Sequence, residues 1–143
     1  MQFVETKQHN MLYDFYFKNG LEVSKNIEVD DGAVYSIVAQ AHGKLAAAAT
    51  LSFRKNIFIL DYIAVDSVYR KSGLGKKALD IITKKAKGLG ADAIYITARV
   101  ADFFKKIGFK LGSPEGVDMN EDCIGCEKYG TECVSMPMRL TLI

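Results

Sequence analysis

The chain has 143 residues, enough for one domain, 1–143, with a single hydrophobic core. Its 49% apolar and 25% charged residues, with a net charge of +2, are typical of a folded globular protein and do not indicate nucleic-acid binding. No apolar run approaches the roughly 20 residues that span a bilayer, and the N-terminus lacks the segments of a signal peptide, so we expect a cytoplasmic protein without membrane contact.

The first half of the chain predicts a helix followed by three antiparallel strands. Residues 6–19 carry aromatic and apolar side chains at helical spacing, and Gly20 is a suitable residue to end that helix. Strand patterns cover 33–40 and 44–53, with the turn sequence 41–43 between them, which predicts a hairpin. The small side chains of Ala46–Ala49 would leave room on the second strand, over a substrate channel. The third strand is Ile57–Val65.

The second half predicts a βαβ unit. A seven-residue loop, 66–72, leads into a helix that runs from Gly73 to about Gly88, with an apolar stripe on one face and lysines on the other. A buried strand at 93–98 should lie parallel to Ile57–Val65, because a helix connects the two, and a ligand site is expected beyond their carboxyl ends. A short helix at 100–107, a polar loop at 112–131 and a closing strand at 133–143, with Pro137 marking an edge or a bulge, complete the chain.

The glycine-rich start of the central helix has the features of an anion site. In Arg70–Gly75 (RKSGLG) the missing side chains allow a phosphate to approach the backbone. The first turn of a helix also leaves N–H groups without acceptors at the positive end of the helix dipole. Arg70, Lys71, Lys76 and Lys77 add positive charge around these groups.

Two nucleotide-binding patterns fit this segment poorly. Gly73–Ala78 matches G-x-G-x-x-A, but seven residues separate the first glycine from the strand, and the next acid on a strand edge, Asp92, is too close for the ribose contact. The phosphate-loop pattern fails because Gly75 and Lys76 are followed by Lys77, and position 70 is arginine.

Two blocks of the sequence resemble the GNAT superfamily of acyl-CoA-dependent N-acyltransferases. Val65–Gly75 (VDSVYRKSGLG) is similar to its motif A, [Q/R]-x-x-G-x-[G/A] after a strand, and Phe103–Phe109 (FFKKIGF) is similar to its F-Y-x-K-x-G-F segment. Both blocks stand in the right order, and the resemblance covers roughly Val34–Phe109. It implies an α+β fold with a GNAT-type mixed sheet, antiparallel strands before the βαβ unit, and helices on both faces.

The resemblance also implies where acetyl-CoA would bind. The pantetheine arm would lie in a gap where the two central strands splay apart, and a backbone N–H between Ile63 and Val65, freed by a bulge, would stabilise the oxyanion. Lys106 would reach the adenosine end. The residues whose N–H groups would hold the diphosphate are Lys71, Ser72, Gly73, Leu74, Gly75 and Lys76.

The catalytic groups are less clearly marked. Asp61 interrupts an apolar strand four residues before Val65, where many family members carry a carboxylate, so it is either the general base or a solvent-facing residue. The family tyrosine that protonates the departing thiolate aligns with Phe104, which has no proton to give. Tyr62, Tyr95 or a water could act instead, or the thiol could leave unaided.

Three cysteines form a Cys123-x2-Cys126-x6-Cys133 pattern in or beside the polar loop. Two thiolates at Cys-x-x-Cys spacing can share one metal, so a zinc or iron–sulfur site is one interpretation, and a redox-active thiol pair and unligated cysteines are the others. A fourth ligand could come from Glu121 or Asp122, from either histidine, from water or from another subunit. The reducing cytosol disfavours a structural disulfide.

These observations predict an enzyme that moves an acetyl group from acetyl-CoA to a primary amine on a small molecule or a protein. The alternative is a non-catalytic acyl-CoA-binding or metal/thiol regulatory module on the same fold, an alternative motivated by Phe104 and by the cysteines. Neither the acceptor amine nor the oligomeric state follows from the sequence, although a C-terminal strand such as Val134–Leu142 can pair between two subunits of a homodimer.

Overall fold

A mixed β-sheet forms the centre of the protein, which is represented by a computed structural model that describes residues 2–21, 32–98, 101–112 and 136–142. Within these ranges the sheet has seven strands in the order β1-β2-β3-β4-β5-β7-β6, and three α-helices. The strands are β1 Phe3–Glu5, β2 Ala33–Ala41, β3 Lys44–Arg54, β4 Ile57–Val65, β5 Ala93–Ala98, β6 Lys110–Leu111 and β7 Met136–Thr141, and the helices are α1 His9–Lys18, α2 Leu74–Gly88 and α3 Ala101–Ile107.

The sheet has the architecture that the sequence predicts. Strands β1 to β4 pair antiparallel, β4 and β5 pair parallel around α2, and β7 returns antiparallel to β5. Two-residue turns close both hairpins: His42-Gly43 and Lys55-Asn56 have positive φ at both positions, as tight hairpins with the right-handed twist require. The α+β prediction is confirmed, and the helix predicted over 6–19 begins at His9.

Two strands are absent from the prediction. Strands β1 and β6, of three and two residues, are too short to show a period in the sequence. Strand β6 pairs with β7 at Lys110–Arg139 and Leu111–Met138, so β7 lies inside the sheet. Its register with β5 is unbroken at Pro137, so the prediction that this proline marks an edge or a bulge is wrong. Pro137 is accommodated because β6 has ended there, and the N–H of Gly112 donates to its carbonyl over 3.0 Å.

Helices cover both faces of the sheet. Adjacent residues of β2, Ile37 and Val38, belong to different clusters, the first packed with α2 and the second with α1. We call these two sides the α2 face and the α1 face. The helix α3 adds Phe104 to the α2 face. None of the helices in the described ranges is long and apolar enough to cross a bilayer.

The alanine run of β3 separates the two helices. Ala46–Ala49 are all fully buried, with Ala48 packed in the α1 cluster and Ala49 in the α2 cluster. The space left by these small side chains is filled by the packed helices, and the channel predicted over them is wrong for this part of the sheet.

Strand β4 contains one irregularity. Thr50 of β3 pairs with Tyr62, whereas the next residue, Leu51, pairs with Leu60, so Asp61 is one residue too many for the ladder. This is the signature of a β-bulge, in which two residues of one strand oppose one of the other. The resemblance placed the bulge at Ile63–Val65, and the structure places it two residues earlier.

Candidate active site

The two central strands separate towards their carboxyl ends. Strands β4 and β5 pair at Phe58–Ile94 and Ile59–Tyr95, and among the described residues no further pairing joins them, although β4 continues to Val65. A gap therefore opens in the sheet beyond Ile59, as the resemblance implies. Parallel sheets bind ligands beyond the carboxyl ends of their strands, which is where this gap lies.

Two backbone N–H groups of β4 point into this gap. The N–H of Asp66 donates to the carbonyl of Ala46 on β3 over 2.8 Å. Because N–H groups alternate in direction along a strand, that of Ala64 faces β3 as well, and those of Ile63 and Val65 face the other way. The predicted oxyanion donors thus have the required direction, which follows from the separation of the strands together with a bulge earlier in β4.

The loop after β4 is held by its own polar groups. The carboxylate of Asp66 accepts from the N–H of Val68 over 3.0 Å and caps a 3-10 turn at Ser67–Tyr69. The side chain of Ser72 donates to the carbonyl of Tyr69. Arg70 reaches back to β4, where its Nε donates to the carbonyl of Val65 over 3.1 Å. The guanidinium is therefore fixed at the mouth of the gap.

The first N–H groups of helix α2 have no hydrogen-bond acceptor within the helix. Gly73 is the N-cap, with φ at +85°, and no side chain caps this end. The first helical bond runs from the N–H of Lys77 to the carbonyl of Gly73 over 3.0 Å. The N–H groups of Leu74, Gly75 and Lys76 precede that bond and have no acceptor within the helix, which is the arrangement expected of an anion site.

A side chain is disfavoured at the two glycines of this loop for different structural reasons. Gly73 has open space around its Cβ position but a left-handed φ, which strains any residue with a side chain. Gly75 has an ordinary φ, but a Cβ there would lie 3.3 Å from the ring of Phe103 and 3.7 Å from Val65. The start of α2, the end of β4 and helix α3 therefore meet at Gly75.

The two phenylalanines of α3 occupy different environments. Phe103 is 37% exposed and borders Gly75 at the mouth of the gap, whereas Phe104 is 6% exposed and packs edge-on between Phe103 and Phe109. The sequence did not single out Phe103 as a site residue; its helical position one residue from Phe104 was the available signal. Lys106 is exposed on the same helix.

Asp61 is neither free nor facing solvent. Its Oδ1 accepts from Nη2 of Arg54 over 2.5 Å, and its Oδ2 accepts from Nη1 of Arg54 over 2.7 Å and from the hydroxyl of Ser52. Ser52 is fully buried, and the side chains of Arg54 and Asp61 are 31% and 15% exposed. Both carboxylate oxygens are therefore engaged by residues of β3.

Three tyrosines cluster on the α1 face. Tyr62 of β4 stacks on Tyr16 of α1 with ring centroids 4.7 Å apart and meets Tyr13 edge-on at 6.1 Å. The hydroxyl of Tyr16 shares a 2.7 Å hydrogen bond with Thr50, which shares one of 3.0 Å with Ser36. Complete burial raises the pKa of the Tyr16 phenol far above its usual value, so it stays protonated.

The two tyrosines predicted as alternative proton donors differ in position. Tyr62 precedes Ile63 on the strand that borders the gap, whereas Tyr95 pairs with Ile59 at the closed end. The guanidinium of Arg139 lies 5.9 Å from the ring of Tyr95. Tyr62 is therefore the better placed of the two.

Cys123, Cys126 and Cys133 lie outside the described residues. Within the ranges that are described, no group of three or more histidine, cysteine, aspartate or glutamate side chains is arranged to hold a metal ion.

Comparison with known proteins identifies the family. Residues 2–109 match the model of the acetyltransferase (GNAT) family, which covers well over half of the chain. The chain belongs to this family. Family membership, together with the gap and the glycine loop, supports acyltransferase activity and coenzyme A binding.

Solved structures share the fold at low sequence identity. A Bacillus subtilis acetyltransferase in complex with CoA matches 99% of both chains with 23% identity and a TM-score of 0.72. An aminoglycoside 6'-N-acetyltransferase complexed with coenzyme A matches 100% of this chain and 98% of its own, with 18% identity and a TM-score of 0.71. The ribosomal-protein-S18-alanine N-acetyltransferase from Escherichia coli matches 99% and 93%, with 16% identity and a TM-score of 0.69.

Proposed function

We propose that this protein transfers an acetyl group from acetyl-CoA to a primary amine by direct attack of the amine on the thioester. The observation that carries this proposal is the gap between β4 and β5, bordered by two inward N–H groups of β4 and by the bare N-terminus of α2. The donor and the acceptor classes follow from the chemistry that such a gap can support and from family membership.

The diphosphate of the coenzyme would bind at the glycine loop. The N–H groups of Leu74, Gly75 and Lys76 lie at the positive end of α2, and Lys76 and Lys77 are exposed beside them. The N–H of Ser72 already donates to the carbonyl of Tyr69 over 3.3 Å. Leu74 turns its side chain inward, 7% exposed, and fixes this first turn to the core. Lys106 on α3 is the proposed contact for the adenosine end.

The thioester would lie in the gap beside Ile63 and Val65. A neutral amine nitrogen forms a bond to the carbonyl carbon, and the carbonyl oxygen gains the negative charge that the two N–H groups stabilise. The C–S bond then breaks, the sulfur leaves with the electron pair as a thiolate, and the attacking nitrogen loses its extra proton to solvent water. Donors fixed by the strand need no rearrangement when the charge develops, which is the source of the rate enhancement.

The thiolate needs no dedicated acid. The ring of Phe104 has no proton, and a thiol with a pKa of about 8.5 is a tolerable leaving group at neutral pH. Tyr62, which precedes Ile63 on β4, is the candidate phenol. A protein that retains coenzyme binding but acetylates no amine would instead be the non-catalytic sensor, which the phenylalanine at this position also permits.

The cysteine pattern belongs to a separate hypothesis. Cys123, Cys126 and Cys133 have the spacing of a zinc or iron–sulfur site or of a redox thiol pair. Metal analysis of protein purified without chelator tests the metal site: stoichiometric zinc or iron supports it, and protein that contains neither metal contradicts it.

The proposed activity is tested with acetyl-CoA and a panel of amines. The panel contains diamines, aminoglycosides, amino acids and peptides with a free N-terminus, and both the release of coenzyme thiol and the mass of the acetylated product are measured. We expect amine-dependent thiol release with at least one acceptor and a product heavier by one acetyl group. Micromolar acetyl-CoA binding without turnover on any amine would contradict the proposal and support the sensor.

A further inference from the structure

We infer that Ser52, Arg54 and Asp61 form a positioning device for the acyl-transfer site, named here the β4 clamp, and that Asp61 acts through the backbone of β4 rather than as the general base. The inference rests on the proposed function, because it concerns the orientation of the Ile63 and Val65 N–H groups that would stabilise the oxyanion. It assigns a role to three residues that none of the steps above uses directly.

The bulge at Asp61 decides which N–H groups face the gap. Before the bulge, the N–H of Phe53 donates to Gly32 over 2.8 Å, away from β4, so its pair partner Phe58 directs its own N–H towards β5. Regular alternation from Phe58 would direct only even-numbered N–H groups into the gap. The extra residue shifts the alternation by one, and the odd-numbered Ile63 and Val65 face the gap instead.

The clamp fixes the extra residue. Ser52 and Arg54 lie on β3 opposite Ile59 and Ile57, on the closed side of the bulge. Their three hydrogen bonds to the Asp61 carboxylate tie the bulged residue to the part of the sheet that is fully paired. Charge-assisted bonds to both carboxylate oxygens define one orientation of the side chain, and with it one position of the bulge.

A glycine makes room for the arginine. A Cβ on Gly32 would lie 2.5 Å from Cγ of Arg54 and 2.9 Å from the carbonyl of Phe53, both closer than real contacts allow. Gly32 also has φ at +81°. The aliphatic part of the Arg54 side chain therefore lies against the backbone of Gly32, just before β2, on its way to Asp61.

A base and a positioning residue respond differently to loss of the arginine. Removing Arg54 leaves the Asp61 carboxylate in place and less encumbered, so a base would keep or gain activity at a shifted pH. If Asp61 is a positioning residue, its carboxylate loses the ion pair that holds it in place. The N–H groups of Ile63 and Val65 then lose their orientation towards the gap. The comparison of Arg54 and Asp61 variants therefore separates the two roles.

The experiment is a double-mutant cycle with Arg54→Ala, Asp61→Ala and the double variant. We expect each single variant to lower kcat by about 10- to 100-fold, as small misplacements of catalytic groups do. The double variant should be no slower than the slower single variant, because both remove the same device. The KM for acetyl-CoA should stay within about twofold, because the glycine loop is untouched.

Controls separate positioning from folding. Arg139→Ala removes another arginine from the α1 face, over Tyr95 and outside the clamp, and should leave kcat unchanged. Ser52→Ala is the milder clamp variant should Asp61→Ala fail to fold, and we expect an intermediate loss of kcat. The pH profile of kcat in Arg54→Ala should keep the shape of the wild-type profile, with a lower kcat at every pH.

A readout independent of turnover keeps this inference distinct from the proposed function. Amide chemical shifts of Ile63 and Val65 in the CoA-bound protein should move in Arg54→Ala and Asp61→Ala and stay in Arg139→Ala. Unmoved shifts together with additive losses of kcat would overturn the clamp. Moved shifts in a protein that acetylates no amine would retain the clamp and contradict only the proposed activity.

Discussion

The two faces of the sheet are stabilised by different means. The α2 face is closed by a continuous apolar cluster in which Leu79 and Ile82 are fully buried. The buried polar residues among those described, Ser36, Thr50 and Ser52, all lie on the α1 face and bond to one another, to Tyr16 or to Asp61. One face is therefore held by apolar packing against α2, whereas the other carries a set of buried hydrogen bonds that reaches the bulge of β4.

The largest expected effect is on the apolar face. Leu79→Ala removes a fully buried side chain from the centre of the α2 cluster and should lower the free energy of unfolding by about 2–5 kcal/mol. Urea denaturation measures the loss. Leu89→Ala, at a residue 48% exposed just after the same helix, is the matched control and should change it by less than about 0.5 kcal/mol. Equal losses at both positions would contradict the packing assigned to this face.

The next effect tests the hydroxyl chain of the α1 face. Thr50→Val keeps the shape of the side chain but leaves the hydroxyls of Tyr16 and Ser36 without their shared partner, which should cost about 1–3 kcal/mol. Thr83→Val makes the same replacement on α2, where the hydroxyl bonds only to the carbonyl of Asp80 in an exposed position. If the Thr50→Val protein were as stable as the Thr83→Val protein, the linked hydroxyls of the α1 face would contribute nothing to the free energy of unfolding.

The smallest effect is a dependence of stability on alkaline pH. Burial raises the pKa of Tyr16 above the ordinary value of 10.0, so the unfolded chain releases this proton at lower pH than the folded protein does. The sign follows: the stabilisation is fully present below about pH 10 and is lost as the pH rises further. Between pH 9 and pH 11 the wild type should lose stability faster than Tyr16→Phe in urea titrations. Parallel curves for the two proteins would contradict the burial of the phenol.

The α2 face could be predicted from the sequence and most of the α1 face could not. The stripe of Leu74, Ala78 and Leu79 repeats with the helical period, and Gly73 marks the start of the helix, so the sequence pattern located α2. The Phe103–Phe109 block likewise located α3. These features are local, and local patterns are visible in a sequence.

The clamp depends on the register between two strands. A two-residue turn at Lys55-Asn56 would place Asp61 opposite Thr50 and diagonal to Ser52, so a polar contact across β3 could have been suggested from the hairpin alone. The bulge itself was not visible, because an extra residue leaves no sign in the alternation of an apolar strand. The two roles expected for Asp61, a base or a solvent-facing residue, follow from the pattern of β4 alone and leave out the neighbouring strand β3.

The most direct test is to measure the affinity for acetyl-CoA of a variant in which both glycines of the loop carry side chains. Gly73→Ala combined with Gly75→Val places a side chain at a left-handed φ and another against Phe103, beside the N–H groups proposed to hold the diphosphate. Calorimetric titration should show binding weakened by about tenfold or more, equivalent to about 1.4 kcal/mol, in a protein whose far-UV circular dichroism matches the wild type. An unchanged affinity in that folded variant would contradict the account.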